Sequence, residues 1–293
     1  MHQCIRQLSG EADTQRLCHL LGVSRSGYYA ACTRAKQPDL PCPAGAAVEQ
    51  HFEASGRTYG SRRLTEALRA EGFAVGRYRV RSLMRDRHLY PVWHRGFVAT
   101  TQRDASAAVA KNHLERDFAP SQPDQTWASD ITYIATDTGW SYLAVILDLY
   151  SRKVVGWSMD RRMPATLVCD ALQMALQHRQ PAAGLMLHSD QGCQYTSDAW
   201  QRLLADHNIQ ASMSRRGNCW DNAVVERFFL NLKMERVWQR HYANHTEAKR
   251  DIADYIVGFY NTSRIHSTLG YLPPNVYERE TAPIPPSAVS EIT

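Results

Sequence analysis

Thr126–Ile134 reads TWASDITYI, and its period of two decides the fold. Trp127, Ile131 and Tyr133 fall on one side and Ala128, Asp130 and Thr132 on the other, the pattern of a strand. Trp140–Leu147 (WSYLAVIL) is almost continuously apolar, as a strand covered on both faces is, and Lys153–Met159 makes a third. The links between these three are short turns, so they should form an antiparallel meander. Downstream the period changes. A helix is predicted over Ala165–His178, a short strand over Leu185–His188, a helix over Ser197–His207 capped by Thr196 or Ser197, and a strand over Ile209–Ser212. The loop Arg215–Asp221 (RRGNCWD) then enters a last helix with Asp221 or Asn222 as its N-cap. Strands joined through helices run parallel. The expected architecture is α/β, a mixed five-stranded sheet with helices on both faces.

Three carboxylates sit at element ends or polar faces of this pattern. Asp130 is in the first strand, Asp190 lies just past the fourth (LMLHSDQGCQYTS, 185–197), and Glu226 is on the last helix (NAVVERFFLNLK, 222–233). The gaps are 190 − 130 − 1 = 59 and 226 − 190 − 1 = 35 residues. The first and fourth strands should be neighbours, with the helix bringing Glu226 across to them. Carboxylates gathered without a basic partner repel one another unless a cation neutralises them, and oxygen-only ligands suit Mg²⁺. Two such ions roughly 3.5–4 Å apart can activate a water or a 3′-hydroxyl and stabilise the leaving oxygen of a phosphodiester. Asp148, at the end of a strand in DLYSR, reads as structural. His188 and Ser189 either shape the Asp190 turn or touch substrate. Arg264, His266 and Tyr271 lack the dense Arg/His pattern of a tyrosine recombinase.

The net charge of +5 is unevenly spread. Through residue 121 there are 18 Lys/Arg against 11 Asp/Glu, or +7, and from 122 onward 16 against 18, or −2. Within Arg57–Arg95 alone the balance is 10 against 3, so a polyanion is expected to be held there and acted on elsewhere. Ser61 can cap a helix with Leu64, Ala67 and Leu68 on one side, ended by Gly72; after a turn a second helix turns Val80, Leu83 and Met84 inward. Arg62, Arg63, Arg77, Arg79, Arg81, Arg85 and Arg87 decorate the remainder. This is the outline of a DNA-binding helix-turn-helix, preferred over an Arg-decorated surface helix because the segment holds so few acids. Further upstream, Leu17, Leu20 and Leu21 form a stripe, Gly22 a stop and Ser24 a new cap, giving a helical hairpin in which Tyr28 and Tyr29 read as packing residues.

The segments 36–45 and 100–125 read as connections, Thr246–Tyr260 as an amphipathic helix with Ile252, Tyr255, Ile256, Phe259 and Tyr260 on one face, and the Pro-rich end as disordered. The domain scheme is thus 1–35, 46–99, 122–240, 241–280 and a tail from 281. No run of about 18 apolar residues is present, which argues against a membrane span. MHQCIRQLSG lacks an apolar core, so a cytoplasmic chain is expected, associated with the nucleoid when bound to DNA. Seven scattered cysteines without a C-x-x-C pair read as reduced thiols, and the lone pair His241 and His245 as solvated surface.

The segments TWASDITYI, LDLYSRKVVGW, LHSDQGCQYTS, SMSRRGNCWDNAVVERFF and FYNTSRIHSTLGYLPP together resemble the catalytic subunit (the OrfB product) of transposases of the "insertion sequence three" family, in the retroviral-integrase superfamily. LGVSRSGYYA and the basic helix-turn-helix are similar to that family's N-terminal region, so the resemblance spans roughly residues 15–278. Cys219-Trp220 departs from the family's usual proline and aromatic residue. The resemblance implies a ribonuclease-H-like core, the acidic triad at Asp130, Asp190 and Glu226, and a basic residue at Lys233. Seven residues are nearly two helical turns, so Lys233 shares the face of Glu226 about 10 Å along, suited to a phosphate or base. It further implies a Mg-dependent DNA transposase (DDE type) with two Mg²⁺ per site, replaceable by Mn²⁺. Such an enzyme cleaves element ends by hydrolysis and joins the freed 3′-hydroxyl to another phosphodiester. Double-stranded DNA, further copies of the chain and an upstream-frame OrfA-type subunit are the implied partners. A ribonuclease-H-like nuclease that never joins, or a catalytically silent DNA-binding regulator, are the alternatives.

Overall fold

The computed structural model describes residues 2–9, 13–36, 42–92, 110–115, 117–214 and 222–281. Near the start, α1 (His2–Leu8), α2 (Thr14–Leu20) and α3 (Arg25–Lys36) pack around Ile5, Leu17, Cys18 and Tyr28. The Ser24 hydroxyl accepts the Gly27 N–H at 3.1 Å, as a cap should. Two expectations are corrected: Leu20 is 72% exposed and Tyr29 is also exposed. The inward side of α2 runs through Leu17, Cys18 and Leu21, and consecutive tyrosines on one helix point in different directions.

Residues 43–45 are no linker but the start of α4 (Pro43–Ala54), where Pro43 occupies the first turn and its missing N–H is not needed. α5 (Ser61–Ala70) and α6 (Arg77–Asp86) pack on α4 through Val48, Phe52, Leu64, Leu68, Val80, Leu83 and Met84. The helix-turn-helix pair therefore rests on a third helix that the sequence reading missed. Gly60, not Ser61, is the N-cap of α5.

The sheet follows. β1 (Thr126–Thr136) and β2 (Gly139–Asp148) pair antiparallel from Thr136↔Gly139 to Trp127↔Asp148, and β3 (Val154–Asp160) adds antiparallel to β2. After α7 (Ala165–Arg179), β4 (Met186–Ser189) runs parallel to β1; after α8 (Asp198–Asp206), β5 (Gln210–Met213) runs parallel to β4. The order β3-β2-β1-β4-β5 is the mixed five-stranded sheet expected. β4 pairs only with Thr126–Ala128, so beyond Ala128 no described strand covers that edge of β1. Ser197 is the cap of α8, accepting the Trp200 N–H. Under α7, β3 comes so close that a Cβ on Gly156 would lie 2.2 Å from the Ala171 carbonyl oxygen, which excludes any larger residue there.

Each face of the sheet has its own core. Trp127, Ile146, Leu172 and Trp200 lie beneath α7 and α8. Ala128, Ile134, Val145, Phe228 and Leu232 lie beneath α9 (Ala223–Glu235). The C-terminal segment joins this second core. α10 (His245–Ala253) continues into a π-helical stretch at Asp254–Tyr260, where a uniform amphipathic helix was expected. The wider π turn rotates the residues that follow it. Tyr255, Ile256 and Tyr260 are buried, the Tyr260 ring lying 4.7 Å from Phe228, while Phe259 is half-buried. Asn261 then closes the end of β3, accepting the Val154 N–H and donating to the Val154 carbonyl. α11 (Pro274–Thr281) is tied down by Glu278, which accepts bonds from Ser151, Lys153 and Arg179.

Candidate active site

Ser129 organises the ground beside Asp130. Its hydroxyl bonds the Tyr195 hydroxyl at 2.9 Å, and its carbonyl accepts a bond from Asn222 Nδ2 at 3.3 Å. One strand residue thus fastens β1 both to the loop after Asp190 and to the N-cap residue of α9. Neither Ser129 nor Tyr195 stood out in the sequence, since a small polar residue in a strand has no signature of its own. Asp190 lies one residue past β4, its Oδ1 accepting the Gly192 N–H at 2.9 Å. A Cβ on Gly192 would meet that oxygen at 3.0 Å, so the tight turn favours glycine. His188 is wholly buried between the Ser212 and Ser214 hydroxyls, at 2.9 and 3.1 Å, and so shapes the turn instead of meeting substrate.

Glu226 occupies the first turn of α9 and is exposed, whereas Asp130 and Asp190 are half-buried. Among the described residues no three His, Cys, Asp or Glu side chains converge tightly enough to hold an ion together. The structure brings Asp130 and Asp190 close and leaves Glu226 at the rim. Burial first, and then the charge of Asp190, hold the Asp130 carboxyl well above the usual range, with Glu226 adding to the push and the Ile131 N–H and Lys233 opposing it. Burial likewise raises Asp190 and Glu226. Lys233 is lowered by burial and raised by Asp130, and its Nζ stands 4.5 Å over the Tyr133 ring. The arrangement is an acidic notch with the Lys233 ammonium beside Asp130.

Asp148 has the structural role expected of it. Fully buried, it accepts the Asp124 and Tyr150 N–H groups at 2.9 and 2.8 Å and lies 3.4 Å from Arg179. Burial pushes it up to about 7 against those bonds.

Two family models described as integrase core domains match residues 120–219 and 207–274, and one described as an HTH-like domain matches 44–97. The transposase InsF for insertion sequence IS3A of Escherichia coli (strain K12) is 40% identical over 280 residues, 94% of this chain and 97% of that protein. A 31 kDa protein of insertion element IS600 of Shigella sonnei is 40% identical over 268 residues, 90% of this chain and 98% of its own. The chain belongs to the insertion-sequence transposases. Its function is accordingly that of a DNA transposase, a polynucleotidyl transferase with an integrase core. Among solved structures, a chain of the simian T-cell lymphotropic virus intasome is 16% identical with a TM-score of 0.48, covering 83% of this chain and 77% of its own. The HTLV-2 integrase catalytic core domain in complex with magnesium is 18% identical with a TM-score of 0.38, covering 50% of this chain and 92% of its own. The family assignment rests on the sequence relatives.

On this transposase the basic residues divide. Arg62, Arg77, Arg79, Arg81 and Arg85 are exposed on α5 and α6. Arg87 is half-buried, its guanidinium against Gly45. Arg63, expected on the DNA-binding side, faces the core instead: it stands 3.4 Å from Glu235, with its guanidinium over the Tyr59 ring. One position along a helix is about 100° of rotation, enough to send Arg62 and Arg63 different ways. Arg264 is the larger omission of the sequence reading. It is 1% exposed and forks onto both Glu235 oxygens at 2.7 Å, with Tyr255 adding a third bond to that carboxylate. The loop Arg215–Asp221, including Cys219-Trp220, and the tail after 281 lie outside the described residues. Among the described residues no helix is long and apolar enough to cross a membrane.

Proposed function

We propose that this transposase cleaves element ends by hydrolysis and joins the freed 3′-hydroxyl to a second phosphodiester at a site formed by Asp130, Asp190 and Glu226. The observation that carries the reading is the approach of Asp130 on β1 and Asp190 just past the neighbouring parallel β4, with Glu226 and Lys233 on α9, which packs against β1. The chemistry of the donors, oxygen-only carboxylates, suits Mg²⁺, or Mn²⁺ in its place, although in this structure the three do not converge on one point. Burial pushes Asp130 and Asp190 toward the neutral form, with the charge of Asp190 adding to it at Asp130. Asp130, Asp190 and Glu226 would be the residues that hold the ions. The ions would supply activation of the attacking oxygen and neutralisation of the leaving one. The chain's own residues do the rest. Ser129 and Asn222 fix the relative positions of β1 and α9, the Gly192 N–H orients Asp190, and Lys233 holds a phosphate beside Asp130. The test is incubation with Mg²⁺ and labelled DNA carrying the element's own ends. Nicked and joined products together are expected; nicks alone would favour a nuclease, and neither product a silent DNA-binding protein.

Lys233→Ala should reduce strand joining about 10–100-fold, the worth of one charge-assisted contact, while calorimetric Mg²⁺ binding stays near wild type. An equal loss of Mg²⁺ binding would contradict its placement beside, and not among, the ion-holding groups.

Duplex DNA is held by the outward arginines of α5 and α6, with α6 directed to the major groove. Five phosphate contacts, from Arg62, Arg77, Arg79, Arg81 and Arg85, give a log–log salt slope of about −4.5, so affinity should fall roughly 500-fold between 50 and 200 mM salt. A titration with a slope near zero would remove these helices from the interface. Assembly of several copies on DNA, with an upstream-frame subunit sharing end recognition, completes the proposal and is supported by the family alone.

A further inference from the structure

We propose that Trp140 and Tyr133 form a stacking platform for an unstacked nucleobase of the DNA strand whose phosphate lies at Asp130. The inference rests on the assignment of that phosphate to the acidic notch. Trp140, at the start of β2, is 53% exposed and is the only tryptophan among the described residues with so open a side chain. Its indole meets the Tyr133 ring edge-on, with centroids 5.0 Å apart and planes at 90°. Tyr133 in turn carries the Lys233 ammonium 4.5 Å over its ring, and that ammonium also bears on Asp130. Acid, cation and aromatic pair are therefore contiguous. Tyr133 is on β1 beyond Ala128, where no described strand covers one edge; with Trp140 of β2 it occupies the sheet face opposite Asp130, and Lys233 of α9 links the two faces there.

Distance fits a nucleotide occupant. Asp130 to Tyr133 is three residues of strand, about 10 Å, and Trp140, across from Ala135 on β2, is about 17 Å away. At about 3.4 Å per nucleotide along one strand of a duplex, the base in question lies within roughly five nucleotides of the phosphate. Any base offers a flat π face, so an exposed indole with a cation beside it receives one without regard to sequence. A diagonal aromatic pair on a hairpin also has a plain structural use, cross-strand packing. That use needs only the buried part of the indole and leaves the exposed half without a role.

The experiment uses the full chain in EDTA with a duplex carrying the element's terminal sequence, measured by anisotropy. Base–aromatic stacking is worth on the order of 5–150-fold in affinity per base. Trp140→Ala should therefore weaken binding by about 10–100-fold, and Trp140→Phe should stay within about threefold of wild type. The same duplex is then made with one abasic nucleotide at each of the six positions on either side of the scissile phosphate. At one position wild type should fall to the level of Trp140→Ala, and Trp140→Ala should lose nothing more. Unchanged binding by Trp140→Ala, equal loss in Trp140→Phe, or independent losses at every abasic position would overturn the platform. A merely unstable hairpin would show that third pattern, since a smaller folded fraction affects all duplexes alike. The site assignment fails separately: Asp130→Asn would then cleave normally in Mg²⁺, whatever the abasic series shows.

Discussion

Asp130→Asn, Asp190→Asn and Glu226→Gln are each expected to abolish cleavage and joining together, by more than about 10³-fold, beyond what loss of one stabilising donor costs an active site. Each keeps side-chain size and removes one negative charge. DNA binding should survive in all three, because the outward arginines lie on α5 and α6. Stability supplies an independent reading. Burial and the neighbouring Asp190 hold the Asp130 carboxyl well above its ordinary value in the folded chain. A carboxyl raised in this way binds its proton more tightly folded than unfolded. The stability it confers is full below the unfolded value and is lost as pH rises toward the folded one. Asp130→Asn should remove that loss. In metal-free buffer its melting temperature should exceed wild type at pH 8 and match it near pH 4. Asp148→Asn is the control, because Asp148 accepts two backbone N–H groups behind the sheet and does not face the notch. It should cost stability and leave activity per folded molecule intact. Should Asp148→Asn eliminate activity in a folded protein while Asp130→Asn spares it, the acids have been assigned one strand out of place.

The sheet was legible because its signals are local or pairwise. The alternation in TWASDITYI, the apolar run WSYLAVIL and the two helical crossovers suffice to order five strands, and with them to place Asp130 and Asp190 on neighbours. Glu226 reads as the acid of the last helix and Lys233 comes from the family resemblance; helix geometry adds that the two share a face. What escaped depends on contacts between distant segments. Nothing near Arg63 in the sequence says that Glu235 awaits it, and nothing near Arg264 does either. The π turn at Asp254–Tyr260 is likewise set by tertiary packing of Tyr255 and Tyr260, which an amphipathic pattern over 246–260 cannot distinguish from regular helix. Asn222 reads as an N-cap of the last helix, which it is, but its bond to Ser129 escaped for the same reason, since a bond joining positions 93 apart leaves no periodic trace.

The second large effect is expected at Glu235 and Arg264, the ion pair closing the far end of the helix that carries Glu226. Both side chains are buried, at 8% and 1% exposure, and the Arg264 fork matches the carboxylate oxygen for oxygen. Arg264 and Tyr255 hold Glu235 below its ordinary range against the cost of burial. Next door, burial and the Arg264 charge push His266 down to about 2, leaving it neutral to accept a guanidinium N–H. Removing one partner strands the other charge, so Arg264→Ala and Glu235→Ala should each cost about 3–5 kcal/mol in urea unfolding, with the paired replacement Glu235→Leu/Arg264→Met recovering most of it. Because the folded Glu235 pKa is lowered, the pair's contribution should be present above the unfolded value and fade as pH falls through the folded one. Arg63 sits at the rim of the same cluster, 3.4 Å from Glu235 and 26% exposed, and its loss should cost no more than about 1 kcal/mol. Its telling measurement is the salt slope of DNA binding. Arg63→Ala should leave that slope unchanged, whereas Arg62→Ala and Arg81→Ala should each reduce it by about 1. If Arg63→Ala reduces the slope as much as they do, Arg63 meets DNA and its bond to Glu235 must open when DNA binds.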